Sequence, residues 1–194
     1  YREQPDRRHG DGMRTSALTR RRTGPLIWAL TLAIVALITA ACGGSSSNFN
    51  DPRLREFDND LTTAGQAHVE PGQLVNYATI PPYGGPHWRN PLPCGIYDNE
   101  QHFEAIVHTM EHGAVALYYQ PLVFDAGQVA EFRLLASRLL REGHKFVLAP
   151  STQIGQAIVL ASWGRLLALD KFEPETIEAF TSTFEGDGPE DVLC

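Results

Sequence analysis

Four short apolar runs in the C-terminal half of the chain constrain its fold most strongly. Residues 114–119 (Ala-Val-Ala-Leu-Tyr-Tyr) are almost continuously apolar, as expected of a buried strand. Similar runs at residues 146–149, 157–163 and 166–169 predict further strands. A stretch with helical apolar spacing separates the first two runs. This succession predicts a sheet covered by helices.

The spacing of apolar residues predicts three helices and one further strand. Residues 99–111 place Phe103, Ile106, Val107 and Met110 on one helical face, and Gly113 ends that helix. Helices are also expected at residues 125–143 and 174–184, and a short strand at residues 74–77. The predicted fold class is α+β, a single small domain with a mixed β-sheet and helices mainly on one face.

The N-terminal part has the pattern of a lipoprotein-type signal peptide. Three arginines at residues 20–22 precede an apolar stretch of 16 residues, which leads into Cys42. That stretch is shorter than the roughly 20 residues that cross a bilayer comfortably. We expect cleavage before Cys42 and lipidation of Cys42; an uncleaved anchor helix is the alternative. Both interpretations place the rest of the chain on the extracytoplasmic side of the cell membrane.

The chain is expected to contain three segments. Residues 1–41 are interpreted as upstream residues and signal peptide. Residues 42–64 contain many Ser, Asn, Asp and Arg residues and few apolar ones, so we expect a flexible, lipid-anchored linker. Residues 65–194 are enough for one globular domain with one core.

Charge excludes one class of partner. Seven of the 16 Lys and Arg residues and three of the 23 Asp and Glu residues precede Cys42. The remaining part therefore carries nine positive and 20 negative charges, a net charge of −11 with neutral histidines. Such a surface repels the phosphate backbone, so no nucleic-acid partner is expected.

Cysteine use agrees with an extracytoplasmic domain. If Cys42 is lipidated, Cys94 and Cys194 are the remaining cysteines. Two thiols in an oxidising compartment favour a disulfide that pins the C-terminal tail to the Pro-rich loop. A redox or metal-binding thiol at Cys94 is the alternative, although no C-x-x-C partner accompanies it.

Histidines form the most reactive group of the sequence. His108 and His112 stand at positions i and i+4 of the first predicted helix, where two imidazoles share one face. With His68 and His87 they form a candidate zinc or copper site, for which Glu104 is the expected hydrogen-bonding partner of His108. In the alternative interpretation, the histidines donate to backbone carbonyls and fix the Pro-rich loop to the helix.

Residues 108–112 also match the H-x-x-E-H pattern of inverted zinc peptidases. In that case His108 and His112 bind zinc, Glu111 is catalytic, and Glu175 or Glu178 supplies a third ligand. The helix ends at Gly113 and the domain is much smaller than such enzymes, so a metal-dependent hydrolase is only the alternative function.

Four motifs carry a resemblance to a known family. They are Pro-Pro-Tyr-Gly-Gly-Pro-His at residues 81–87, Cys-Gly-Ile-Tyr-Asp at 94–98, Val-His-Thr-Met-Glu-His-Gly-Ala-Val at 107–115 and Ala-Ser-Trp-Gly-Arg at 161–165. Their order and spacing resemble the uncharacterised bacterial family catalogued as domain of unknown function 3105, over about residues 65–194. The resemblance implies an exported or membrane-anchored protein and supports the pairing of Cys94 with Cys194. It implies no activity.

The sequence thus predicts an extracytoplasmic, lipid-anchored accessory or binding protein, more readily than an enzyme. The metal interpretation predicts zinc or copper as cofactor, and the structural interpretation of the histidines predicts none. Its expected partners are the membrane, through the N-terminal lipid or anchor helix, and an envelope protein. Tyr83 and Trp88 of the Pro-rich loop are candidate docking residues for that partner, because aromatic side chains on a stiff loop lose little entropy on binding.

Overall fold

The computed structural model describes residues 49–57, 66–190 and 192–194. Within these residues eight strands and three helices form. They are β1 (Leu54–Glu56), β2 (His68–Val69), β3 (His87–Trp88), β4 (Gly95–Ile96), α1 (Phe103–Glu111), β5 (Val115–Tyr119), α2 (Ala126–Glu142), β6 (Phe146–Pro150), β7 (Ile158–Ser162), β8 (Arg165–Leu169) and α3 (Pro174–Phe184). The predicted signal peptide and Cys42 lie outside the described residues. Within the described part, every helix is too short or too polar to cross a membrane.

Six strands form one mixed sheet, in the order β1-β8-β7-β5-β6-β4. Strands β5 and β6 are parallel and connected through α2, whereas β7 runs antiparallel to both β5 and β8. Strands β2 and β3 form a separate parallel pair. The predicted α+β class and mixed sheet are confirmed.

Alternation along the strands divides the core into two layers. Val115 and Leu117 face the layer that contains α2 and α3, whereas Ala116 and Tyr118 face the layer that contains α1. Two helices therefore cover one face of the sheet and one covers the other. The prediction of helices mainly on one face holds for two of the three described helices.

Helix α2 forms where its sequence signals predict. The Asp125 side chain accepts a hydrogen bond from the backbone of Gln128, whose own side chain bonds back to the Asp125 backbone, completing a capping box. Gly143 ends the helix in the left-handed conformation, at φ 94°. Its buried stripe against the sheet consists of Phe132, Leu135, Ala136 and Leu139. Each such side chain contributes about 1.5–3 kcal/mol of burial, except the smaller alanine.

The folded part includes residues assigned from sequence to the linker. Strand β1 pairs antiparallel with β8, and the Phe49 ring packs edge-on against Phe180 and Phe184. Arg53 also forms ion pairs with Asp51 and Glu173. Residues 49–57, which belong to the segment predicted as a linker, therefore pack against the domain. The polar composition of this segment reflects an exposed edge strand, for which charged residues are usual.

Residues 74–77, where a short strand is predicted, join no strand ladder. The reason is visible at Val75, whose backbone N–H donates to the Glu104 carboxylate at 2.8 Å rather than to a neighbouring strand. Helix α1 also begins at Phe103, four residues later than predicted, after an extended His102.

The C-terminal tail returns to the Pro-rich loop. Cys94 and Cys194 form a disulfide with a Cα–Cα distance of 5.4 Å, within the range such bonds require. Because Thr109 donates a hydrogen bond to the carbonyl of Leu92, the loop end of this bridge is itself attached to α1. The predicted pairing therefore closes a covalent link beside that helix.

Candidate metal centre

Helix α1 differs from an ordinary amphipathic helix because all nine of its residues are buried. Ile106, Val107 and Met110 pack into the core layer on their face of the sheet. His108 and Glu111 lie at positions i and i+3 and share the other side, which faces the β2–β3 pair. The helix thus has an apolar side against the sheet and an ionisable side that is also buried.

The β2–β3 pair brings two more histidines to this side of α1. His68 and His87 are direct partners in the parallel register, and the backbone N–H of His87 donates to the carbonyl of Ala67. Their ring centroids lie 4.8 Å apart, and each lies 4.9 Å from the ring of His108. Two short strands therefore assemble histidines that are 19 residues apart in sequence.

The side chains of His68, His87, His108 and Glu111 each offer one ligand atom, and these four atoms lie within 4.8 Å of one another. The Glu111 Oε2 atom is 2.9 Å from His87 Nε2 and 3.8 Å from His68 Nε2. Ligand atoms about 2 Å from one shared ion lie about 3–4 Å apart. Side-chain shifts of about 1 Å or less would therefore place all four around a single metal ion.

Backbone carbonyls fix the tautomers of two histidines. His87 Nδ1 donates to the carbonyl of Gly85 at 2.8 Å, and His108 Nδ1 donates to the carbonyl of Trp88 at 2.6 Å. Since a carbonyl only accepts, Nδ1 carries the proton in both rings, and a neutral ring then presents a bare Nε2. This is the arrangement that metal-binding histidines adopt.

Burial also controls the charges of the cluster. It lowers the pKa of His87 to about 4 and raises the pKa of Glu111 to about 7. It lowers the pKa of His108 in the same direction. At neutral pH the rings of His87 and His108 are therefore neutral and able to act as ligands.

His112 lies next to this group rather than in it. Its Nε2 atom is 3.1 Å from His108 Nε2 and 3.4 Å from Glu190 Oε2. Burial lowers the pKa of His112 as well. Three of the four histidines predicted as ligands thus come together, and the fourth donor of the group is Glu111, which sequence reasoning considered only as a catalytic residue.

Three acids predicted as site residues serve elsewhere. Glu104 accepts from the Val75 backbone, and the Trp88 carbonyl takes the place expected for it beside His108 Nδ1. Glu178 pairs with Arg138. Like Glu175, it belongs to α3, on the opposite face of the sheet from α1. In this structure tertiary contacts therefore place Glu104, Glu175 and Glu178 away from the histidine group.

The aromatic residues of the Pro-rich loop contact their own domain. The Tyr83 ring stacks on Phe57 with centroids 3.9 Å apart, and Trp88 Nε1 donates to the carbonyl of Gln73. The loop therefore packs beside the histidines and holds two of them through its backbone carbonyls.

Sequence reasoning missed Glu190 and the tail that carries it. The backbone of Gly186 donates to the Gly113 carbonyl, and that of Glu190 donates to the Glu111 carbonyl at 3.0 Å. A Cβ atom on Gly188 would stand 2.2 Å from the Glu111 carbonyl oxygen, so this approach requires glycine. The nearest sequence signal was Cys194, whose pairing returns the tail to the domain.

Comparison with known proteins adds a family to this geometry. A family model described as Protein of unknown function (DUF3105) matches residues 68–194, a range that includes every residue of the candidate centre. No curated protein and no solved structure matches the chain. The chain therefore belongs to the family described as Protein of unknown function (DUF3105).

Proposed function

We propose that this protein binds one divalent transition-metal ion through His68, His87, His108 and Glu111. The observation that carries the proposal is the convergence of these four ligand atoms within 4.8 Å, in a cluster where two rings are oriented by backbone carbonyls. Such outer hydrogen bonds orient the ring and increase its basicity toward a metal.

The close approach of two hydrogen-bond acceptors, one on His87 and one on Glu111, supports the proposal. A neutral His87 with its proton on Nδ1 directs a bare Nε2 at the Glu111 carboxylate, 2.9 Å away. Two acceptors at this distance repel each other unless a proton or a cation lies between them. Above pH 7, where Glu111 loses its proton, a metal ion bound by both atoms would remove the repulsion and pair the buried charge of Glu111.

The chemistry of the donor atoms limits which metal ion the site can bind. Three imidazoles and one carboxylate suit Zn²⁺ or Cu²⁺, whereas Cu⁺ prefers sulfur. Met110 is fully buried in the core layer beneath α1, and Cys94 is paired with Cys194, so neither supplies sulfur to the cluster. We therefore propose zinc or divalent copper.

Binding is favoured over hydrolysis by the position of Glu111. An inverted zinc peptidase would use His108 and His112 as ligands and leave this glutamate free to activate water. Here Glu111 belongs to the ligand group and His112 lies beside it. Four protein ligands complete a tetrahedral zinc site, whereas catalytic zinc usually keeps one position open for water.

We further propose that the domain stands on the extracytoplasmic side of the cell membrane as a lipid-anchored accessory protein. This part is supported by the sequence: the arginine-led apolar stretch, Cys42 and the acidic balance of the rest. A metal-binding domain at this place would hold the ion or pass it to an envelope protein.

Calorimetric titration of the full chain, after removal of any bound metal, tests the metal proposal. We expect one Zn²⁺ or Cu²⁺ per chain, with tight binding abolished in His87→Ala and retained in the matched control His144→Ala. His144 is a suitable control because it pairs with Glu185 and lies outside the group of four. Equal binding by wild type and His87→Ala, or no binding by wild type, would contradict the proposal.

A further inference from the structure

A second line of donor atoms runs from the surface to the candidate centre. The Glu190 side chain is 50% exposed and that of His112 is 11% exposed, whereas His108 is buried. Glu190 Oε2 lies 3.4 Å from His112 Nε2, which lies 3.1 Å from His108 Nε2. The donors thus form a ladder of decreasing exposure that ends on a member of the proposed ligand set.

Both steps of this ladder match the distance between two ligands of one ion. Donors about 2 Å from a tetrahedral metal are separated by about 3.3 Å. An ion held by Glu190 and His112 could therefore be shared next by His112 and His108. It would never have to lose all of its protein ligands on the way.

The position of Glu190 is fixed by its backbone. Its N–H donates to the Glu111 carbonyl, and Gly188 packs directly onto the end of α1. Beyond it the chain ends in the Cys194 bridge to Cys94. Residues 186–190 are therefore attached to the domain on both sides of the Glu190 carboxylate.

The charge of Glu190 reaches the whole cluster. It opposes the effect of burial by raising the pKa of His87, His108 and His112. Lys145, whose Nζ donates to the His112 carbonyl, is the nearby positive group that opposes it. A carboxylate in this position attracts cations toward the ladder.

We infer that His112 and Glu190 form a capture site that takes up a divalent transition-metal cation and passes it to His108. This inference rests on the proposed function. The competing route is direct approach past His68, whose side chain is 34% exposed.

Kinetics separate a capture site from a final ligand. A residue on the route changes the association and dissociation rates by the same factor and leaves the dissociation constant unchanged. A final ligand changes the dissociation constant, mainly by faster release. His112→Asn is informative because it removes the imidazole nitrogen that links Glu190 to His108 and keeps a polar side chain at this position.

The experiment is stopped-flow transfer of Zn²⁺ alone between a weak chromophoric chelator and the full chain. For His112→Asn we expect both rates to fall about 10-fold with the dissociation constant within about twofold of wild type. Glu190→Gln should slow association about fivefold, and less at high salt. The control Glu131→Gln removes an equal charge at an exposed position of α2 and should change neither rate.

Several outcomes would overturn the inference. Unchanged rates in both variants would assign uptake to the His68 side, and faster release from His112→Asn would make His112 a final ligand. If His112→Asn fails to fold, the exposed Glu190→Gln variant decides alone. His87→Ala distinguishes the two proposals: its loss of binding supports the centre whatever the rates show, and a wild type that binds no Zn²⁺ overturns both.

Discussion

Helices α1 and α2 pack on opposite faces of the same sheet and follow different rules. Helix α2 buries four of its 17 residues, all apolar, and leaves the rest largely to solvent. Helix α1 buries all nine, including Glu104, His108 and Glu111. The difference shows that apolar periodicity explains α2, whereas the ionisable side of α1 needs a reason other than stability.

The energetic contrast points to function on the α1 face. Burying an ionisable group costs free energy unless it is paired or binds a metal. Among the described residues, the buried His and Glu side chains lie on the α1 side, whereas the core cluster of the α2 face consists of apolar residues and Tyr119. We therefore expect substitutions on the α2 face to affect stability alone, and those on the ionisable side of α1 to affect metal binding.

The largest effect should come from the disulfide, which is a covalent link beside α1. Opening the Cys94–Cys194 loop by Cys194→Ser should lower the free energy of unfolding by about 4 kcal/mol, given the separation of 100 residues. Urea denaturation of both proteins measures the loss, and Cys94→Ser should match it. Free thiols at both positions in protein purified without reductant would contradict this prediction, because the disulfide would then not stabilise the α1 side.

The second-largest effect is the loss of stability expected when a core residue of α2 is truncated. Leu139 is 2% exposed in the core layer of α2 and α3, so Leu139→Ala should cost about 3 kcal/mol of stability. Its dissociation constant for zinc should stay within about twofold of wild type, because no proposed ligand lies on that face. A large loss of metal affinity in this variant would mean that the two faces are coupled.

Glu111→Gln should separate stability from function on the α1 face. Burial raises the pKa of Glu111 to about 7 from 4.5, so its stabilising contribution is present below pH 4.5 and is lost as the pH rises through 7. Above pH 7 the metal-free wild type must bury a charge that glutamine avoids. We expect metal-free Glu111→Gln to be more stable than wild type by about 2 kcal/mol at pH 8 and to lose this advantage near pH 5.

The same variant tests the enzyme alternative. Glu111→Gln should weaken zinc binding at least about 10-fold if Glu111 is a ligand. Unfolding at pH 5 and pH 8, with zinc titration at pH 8, provides both readouts. Tight zinc binding combined with loss of a hydrolytic activity would instead identify Glu111 as a catalytic base.

The smallest effect concerns a buried polar group outside the centre. The Tyr118 hydroxyl is buried in the α1 layer and has no hydrogen-bond partner among the described residues. Removing it by Tyr118→Phe should raise stability by about 1 kcal/mol, measured by urea denaturation, and leave zinc affinity unchanged. Destabilisation of similar size would show that this hydroxyl is satisfied, and that polar burial on this face is not specific to the centre.

Much of the fold could be predicted because its elements carry local signals. The strands β5 to β8 are short apolar runs, and α2 has a capping box at Asp125 and a glycine end at Gly143. Strand β1 has no such signal, because its residues are polar and its stability comes from pairing with β8. Residues 74–77 show the reverse error: their apolar residues predict a strand, but the Val75 N–H bonds to a side chain.

The candidate site was predictable in its histidines and not in its supporting contacts. The i, i+4 spacing of His108 and His112 and the position of His87 in the Pro-rich loop are visible in the sequence. The carbonyls of Gly85 and Trp88 that orient the rings are backbone groups, which no residue pattern reveals. Helical spacing also could not decide between Glu111 and His112 as the ligand, since both share a face with His108.

The central claim is that three imidazoles and one carboxylate hold a single ion. The most direct test is X-ray absorption spectroscopy of the full chain, isolated without chelators and with its metal content determined. We predict one zinc or copper per chain, surrounded by three nitrogen ligands from His68, His87 and His108 and one oxygen ligand from Glu111. Sulfur in the coordination shell, fewer than two imidazoles, or a protein that neither contains nor takes up either metal would contradict the claim.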